Sequence, residues 1–344
     1  MVTLLAAEPP LSIPLIMAGI ALISSILTAA FQFRNQARLA TLSAKLDEQK
    51  AETSARRTYE YETRKRLYTE CEPLIFQLSE YAENAGRRVV NIADATVGGF
   101  LKTRLADPYY SSSTMYRLIA PSACFVMMRQ KLTVVDLRLS PRINGLYGIA
   151  KLHYTVLLAD FEMSSIDERL DYLPHRPEAE EHRKSRVPDP SKYWHQALVW
   201  GNLDRAASAL LVRNDGGEIR RIMGFGEFDE QLQLPGSEIQ RSFDPIRVLF
   251  EEFDPKRRPV LWRVLTGLAI LTQMFRVETS IAHGDDDVSR KPDVKTLFHA
   301  NDAANIEAAA GPGVGNPLQS AAEWIARQLT VPPAKPPAAK PPAT

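Results

Sequence analysis

The hydrophobic pattern has two dense apolar stretches with three-four repeats between them. Pro9 to Phe33, PPLSIPLIMAGIALISSILTAAFQF, runs for 25 residues without a formal charge. At about 1.5 Å of rise per helical residue it is long enough for a hydrocarbon core of about 30 Å, so the pattern predicts a transmembrane helix over 9–33. The second stretch, Val260 to Phe275, VLWRVLTGLAILTQMF, is interrupted by Arg263 and keeps only 12 uncharged residues in a row. That is too short to cross, and it reads instead as the central helix of a folded core. Leu74, Ile75, Leu78, Tyr81, Ala82, Ala85, Val89 and Ile92 recur at three and four and predict an amphipathic helix beyond Pro73. Further helical patterns fall near 112–138, 141–172, 191–213, 237–252 and 258–283. The strand signal is confined to Glu218 to Phe228, EIRRIMGFGEF, which reads as one hairpin arm without an evident mate. The expected fold class is mostly α.

Residues 34–72 contain no Gly or Pro and are rich in Ala, Glu, Lys, Arg and Leu, which favours a long helical stalk through propensity and charge pairs. Leu39, Leu42 and Leu46 open a coiled-coil stripe, but Gln49, Thr53 and Arg56 follow, and one heptad is too little for a stable coiled coil. At Glu72-Pro73 the helix should kink or restart, because proline removes a donor and crowds the preceding turn. Asp-Pro pairs at 107–108, 189–190, 244–245 and 254–255 are candidate helix starts or loops. A helical domain over 73–283 is thus expected, with an exposed charged loop at 174–190. A weakly structured Ala/Gly-rich segment at 284–330 should follow, then a disordered Pro-rich tail, VPPAKPPAAKPPAT, over 331–344.

Tyr59 to Ala93, YEYETRKRLYTECEPLIFQLSEYAENAGRRVVNIA, resembles the characteristic block of a group of uncharacterised bacterial proteins that also begin with a single membrane span and carry a helical cytoplasmic domain. The resemblance covers about residues 55–95 and implies a fold; it carries no catalytic residues.

Charge sets the orientation. Only Glu8 is charged ahead of the span, whereas Arg34, Arg38, Lys45 and Lys50 follow it, which marks the cytoplasmic flank. The expected topology is a short outside tail over 1–8, a single pass through the plasma (inner) membrane, and the bulk of the chain in the cytoplasm. Arg34 and Arg38 then lie at the headgroup interface. With 42 Lys and Arg against 41 Asp and Glu, the chain as a whole has no bias toward a polyanion. Cys71 and Cys124 are too far apart in sequence for a metal or redox spacing and suit a reducing compartment.

Four local features bear on chemistry. Ala21, Ser25 and Ala29 recur every four residues and form a small-residue ridge suited to a transmembrane homodimer face, although the ridge also suits lipid. Arg56, Arg57, Arg64, Lys65 and Arg66, interleaved with Tyr59, Tyr61 and Tyr68, form a basic stalk that can contact nucleic acid or anionic lipid. An ordinary charged helix face explains the same residues, so nucleic acid is the less favoured partner. Arg276 and His283, seven apart on one helical pattern, match the Arg-then-His spacing of helical ribonucleases, and this pair is the weak catalytic candidate. His283 with Asp285 to Asp287, the glycine clusters at 224–228 and 311–315, and HRPEAEEH lack the spacing of a calcium loop, a phosphate loop and a zinc site respectively. No cofactor and no metal are expected. The expected role is non-catalytic: tethering, sensing or recruitment of a protein partner from the bilayer. A membrane-tethered ribonuclease is the alternative.

Overall fold

The computed structural model describes residues 12–132, 137–165, 198–280, 294–311 and 315–330. The protein is mostly helical, with one small hairpin. It divides into two compact units, Met1–Thr63 and Arg64–Thr344. The first helix, α1, Ser12–Val97, contributes to both.

In the first unit the described side-chain hydrogen bonds run within the helix. Ser25 donates to the Leu22 carbonyl at 2.8 Å and Thr28 to Ser24 at 2.7 Å; Thr41 and Thr53 bond in the same way one turn back. Arg56 pairs with Glu60 at 3.0 Å, four residues on. The large apolar side chains from Met17 to Phe33 are exposed around the helix, and so are Leu39, Leu42 and Leu46.

The second unit contains one contiguous hydrophobic core. Its share of α1 buries Leu67, Cys71, Leu74, Leu78, Ala82, Ala85, Val89 and Ile92, the three-four stripe expected from the sequence, extended two positions toward the N-terminus. Pro73 lies inside α1, so of the expected kink or restart the restart does not occur. Leu67 and Cys71 before the proline and Leu74 and Leu78 after it enter the same core, so burial on both sides offsets the hydrogen bond that proline cannot make.

After α2, Leu101–Ala106, Asp107 caps α3, Pro108–Lys131, by accepting from the Tyr109 amide at 3.0 Å. The Asp-Pro reading is correct here, and fails at Asp244-Pro245. Ser140 caps α4, Pro141–Thr155, which leads through a 3-10 turn to α5, Asp160–Ser165, so the pattern at 141–172 is not one helix. Beyond α6, Trp200–Ala209, strands β1, Leu211–Arg213, and β2, Ile219–Ile222, pair antiparallel, Leu211 opposite Ile222. The mate for the expected strand arm is therefore the segment just before it, joined by a turn in which Asn214 Oδ1 accepts from the Glu218 amide at 2.8 Å and Gly217 takes a φ of 80°. The hairpin docks where Tyr116 of α3 donates to the Met223 carbonyl at 2.7 Å.

Helices α7, Phe225–Gln233, and α8, Glu238–Phe250, follow. Pro245 sits within α8. The actual cap is Ser237, whose hydroxyl accepts from the Gln240 amide at 2.9 Å while Gln240 Oε1 accepts from the Gly236 amide at 2.7 Å, a variant of the capping box that reaches the residue before the cap. The apolar face of α8, Ile239, Phe243, Ile246, Leu249 and Phe250, carries the helix past the proline.

At the centre lies α9, Pro259–Ser280. Its window Pro259–Thr279 is long and apolar enough to cross a membrane, but 83% of it is buried in the protein, as for a soluble core helix. Helices α4, α5 and α12 pack around it. Where residues 284–330 were expected to be weakly structured, α10, Val294–Leu297, α11, Ala300–Ala310, and α12, Pro317–Thr330, are formed. Trp262 of α9 donates to the Ile306 carbonyl of α11 at 3.0 Å, and Leu318, Ala321, Trp324 and Ile325 of α12 are buried. Short alanine side chains there allow close helix packing, which composition alone presents as weakness.

The face of α1 meets α9 through a polar seam. Thr272 bonds the Ala82 carbonyl at 3.0 Å, and Gly86 leaves room for it: a Cβ on Gly86 would lie 2.9 Å from Thr272 Cγ2. His153 of α4 closes the seam, its Nε2 lying 3.3 Å from Thr272 Oγ1. Thr272 also bonds the Leu268 carbonyl at 3.0 Å, and burial pushes the His153 pKa down to about 4.

Candidate binding groove

The concave surface of the second unit runs beside α8. One lobe, of about 610 Å³, is walled by Thr96, Gly99, Lys102, Arg247, Lys256 and Arg257, with Leu101, Leu105 and Phe250 on its apolar side. A second lobe, of about 650 Å³, lies between Ser111, Ser112 and Met115 of α3, Leu232 and Gln233 at the end of α7, and Gln240, Arg241, Phe243 and Asp244 of α8. Ser111 and Arg247 line both lobes and so join them. The local fold explains the shape. The chain turns sharply at Gly99, with a φ of 75°, sending α2 away from the end of α1, and α3 starts at the Asp107 cap and returns past α8.

The electrostatics are specific. Arg247 Nη2 lies 2.8 Å from Asp244 Oδ1, and its Nη1 lies 3.7 Å from Glu251 Oε2. The Asp244 hydrogen bond is the main reason the Arg247 pKa is raised. Asp254 Oδ1 accepts from the Lys256 amide at 2.9 Å and closes the turn between α8 and α9. Arg258 donates to the carbonyls of Val248 and Leu249, satisfying the C-terminal end of α8. Glu252, at the lip of the groove, has a φ of 52°, the one non-glycine residue with positive φ among those described. A left-handed backbone at such a residue costs roughly 1–2 kcal/mol, and such outliers concentrate at functional sites.

Other clusters hold structure together. Arg88, buried beneath the Tyr110 ring at 4.2 Å, donates to Ser113 at 2.9 Å, while its Nε and Nη1 have no hydrogen-bond partner among the described residues. Tyr154 and Arg129 both bond Asp204, at 3.2 and 3.3 Å. Cys71 and Cys124 are free, buried thiols, pushed by desolvation up to about 11 and about 12 respectively. Among the described residues no group of three or more His, Cys, Asp or Glu side chains could hold a metal ion.

The residues singled out from sequence lie elsewhere. Arg276 borders a smaller apolar groove of about 340 Å³ with Tyr68, Ile75, Phe76 and Leu146, while His283 lies outside the described residues, as do Asp285 to Asp287 and the 174–190 loop. Arg34 and Arg38 are exposed on α1, and Ala21, Ser25 and Ala29 are exposed with Ser25 bonded to its own helix. In the basic stalk Arg56 is paired with Glu60, and Arg57, Arg64, Lys65 and Arg66 are exposed. None of them lines the groove beside α8. Its cations come from three separate segments, and the one local signal for them is the basic run Lys256, Arg257, Arg258 after Asp254-Pro255. Compared with known protein families, curated proteins and solved structures, the chain shows no match.

Proposed function

We propose that this protein is a membrane-anchored recruitment module: a single N-terminal pass holds a helical domain at the cytoplasmic face of the membrane, where the domain engages a protein partner. The observation that carries the reading is the first quarter of α1. Met17, Ile20, Leu22, Ile23, Ile26, Leu27, Phe31 and Phe33 point outward in every direction, each at least 58% exposed, with no charge among residues 12–33. A helix apolar all round needs an apolar surround, and a bilayer supplies it. The arginines and lysines that follow favour the cytoplasmic side for the domain.

The test is extraction of membranes at alkaline pH. The full chain should stay with the lipid pellet and a chain lacking residues 9–33 should move to the supernatant. Recovery of the full chain in the supernatant would end the anchoring half of the proposal. The recruitment half fails if the purified chain turns over RNA, nucleotides or esters and a single substitution abolishes that turnover.

A further inference from the structure

The groove beside α8 has an unbalanced set of hydrogen-bonding groups. Five cations line it, Lys102, Arg241, Arg247, Lys256 and Arg257, against four carboxylates, Asp244, Glu251, Glu252 and Asp254. Three of the carboxylates are already engaged: Arg247 takes Asp244 and Glu251, and Asp254 accepts a backbone amide. Lys102, Arg241, Lys256 and Arg257 make no ion pair among the described residues, and Glu252 is the single carboxylate left without an ion pair or hydrogen bond. The groove therefore presents donors that lack acceptors, above the apolar side chains Leu101, Leu105, Met115, Phe243 and Phe250.

The distribution of these cations matters as much as their number. Arg241 belongs to one lobe and Lys102, Lys256 and Arg257 to the other, with the neutralised Arg247 between them. A single phosphate requires donors converging on a point; these donors come from three segments and are divided between two lobes. From Gln240 to Glu251 the wall formed by α8 rises about 17 Å, the length of about five residues of extended chain. We infer that the groove is a docking site for an extended acidic peptide segment of a partner protein, with Asp or Glu side chains meeting the cations and apolar side chains filling the two lobes. The inference rests on the recruitment reading and supplies the chemistry of the partner.

The test is selection of random twelve-residue peptides on phage against the full chain in lipid nanodiscs, followed by binding of the synthetic consensus peptide, read by fluorescence anisotropy. Enriched peptides should alternate Asp or Glu with Leu, Phe or Trp. The consensus peptide should bind at least tenfold more weakly to the Arg241→Glu, Arg257→Glu double variant and lose affinity as salt rises. Circular dichroism verifies that this variant is folded; if it is not, the milder Lys102→Gln, Lys256→Gln pair takes its place. No enrichment, enrichment of basic or neutral sequences, or equal binding to the variant would overturn the proposal. Pyrophosphate is the control for a small anion: a rise in melting temperature with pyrophosphate, lost in the variant and unaccompanied by peptide enrichment, would replace the peptide with a phosphate ligand. The groove variants should pellet with membranes as the wild type does, so failure of the groove is separable from failure of the anchor.

Discussion

The two parts of α1 are built from the same helical geometry and satisfied in opposite ways. In residues 12–63 the described side-chain hydroxyls bond one turn back, Arg56 pairs with Glu60, and the large apolar side chains are exposed. Residues 64–97 bury a stripe from Leu67 to Ala95 against other helices. The first part is held by propensity and by whatever medium surrounds it, the second by packing. One helix can thus belong to two environments, and the burial of its side chains, not its backbone, marks where one ends and the other begins.

The contrast is broken most severely by truncating one leucine in each part. Leu78→Ala, at 2% exposure, should destabilise the second unit by about 2–5 kcal/mol, whereas Leu42→Ala, at 58% exposure, should stay within about 0.5 kcal/mol, both read from urea unfolding of the full chain in detergent. Equal effects would mean that the stripe is not the core.

Acid should then act on the packed part alone. Below pH 6.5 the unfolded chain protonates His153 while the folded chain, with its value near 4, does not. Stability is therefore greatest above pH 6.5 and falls as pH drops, by at most about 3 kcal/mol once pH reaches 4. A His153→Leu chain should show a shallower loss of urea midpoint between pH 7.5 and 4.5, and an unchanged slope would deny the seam its titration.

Glycines give the next contrast. Gly86→Ala drives a methyl into Thr272 and should cost about 1–3 kcal/mol, while Gly19→Ala meets nothing within 4 Å and should leave the melting temperature of the second unit unchanged. The smallest effect is common to both parts: removing the Arg56–Glu60 or the Glu83–Arg87 pair, each an exposed i,i+4 contact, should change stability by a few tenths of a kcal/mol in either case. A large loss from one pair and none from the other would show that the surface, too, differs between the two parts.

Much of the packed unit was readable from spacing. The stripe from Leu74 to Ile92 and the run around Val264 to Phe275 have apolar periods too regular for loops, and both lie in the core. Pro73 is the prominent signal in the sequence at the start of the buried stripe, whereas Leu67 and Cys71 ahead of it are buried through partners distant in sequence and leave no local mark. The hairpin was half seen: Asn214-Asp215-Gly216-Gly217 is a strong turn signal, but a three-residue strand such as Leu211–Arg213 is too short to show alternation. At α8 the Asp-Pro pair hid the Ser237-Gln240 box seven residues earlier. The groove was illegible, since Lys102, Arg241 and Lys256 have no common period and meet only because α2 and α8 fold onto adjacent walls.

The bond from Thr272 to the Ala82 carbonyl spans 190 residues. On a ribosome adding about 5–20 residues per second, roughly 10–40 s pass between synthesis of the α1 face and synthesis of the helix that covers it. Throughout that interval the part of the α1 face around Ala82 and Gly86 lacks the helix that covers it, so the nascent chain presents that part to other proteins before it can present it to its own core. The protein's exposure to misassembly is therefore set by translation time, and slowing elongation between residues 100 and 260 should lower soluble yield more than any single surface substitution in the mature fold.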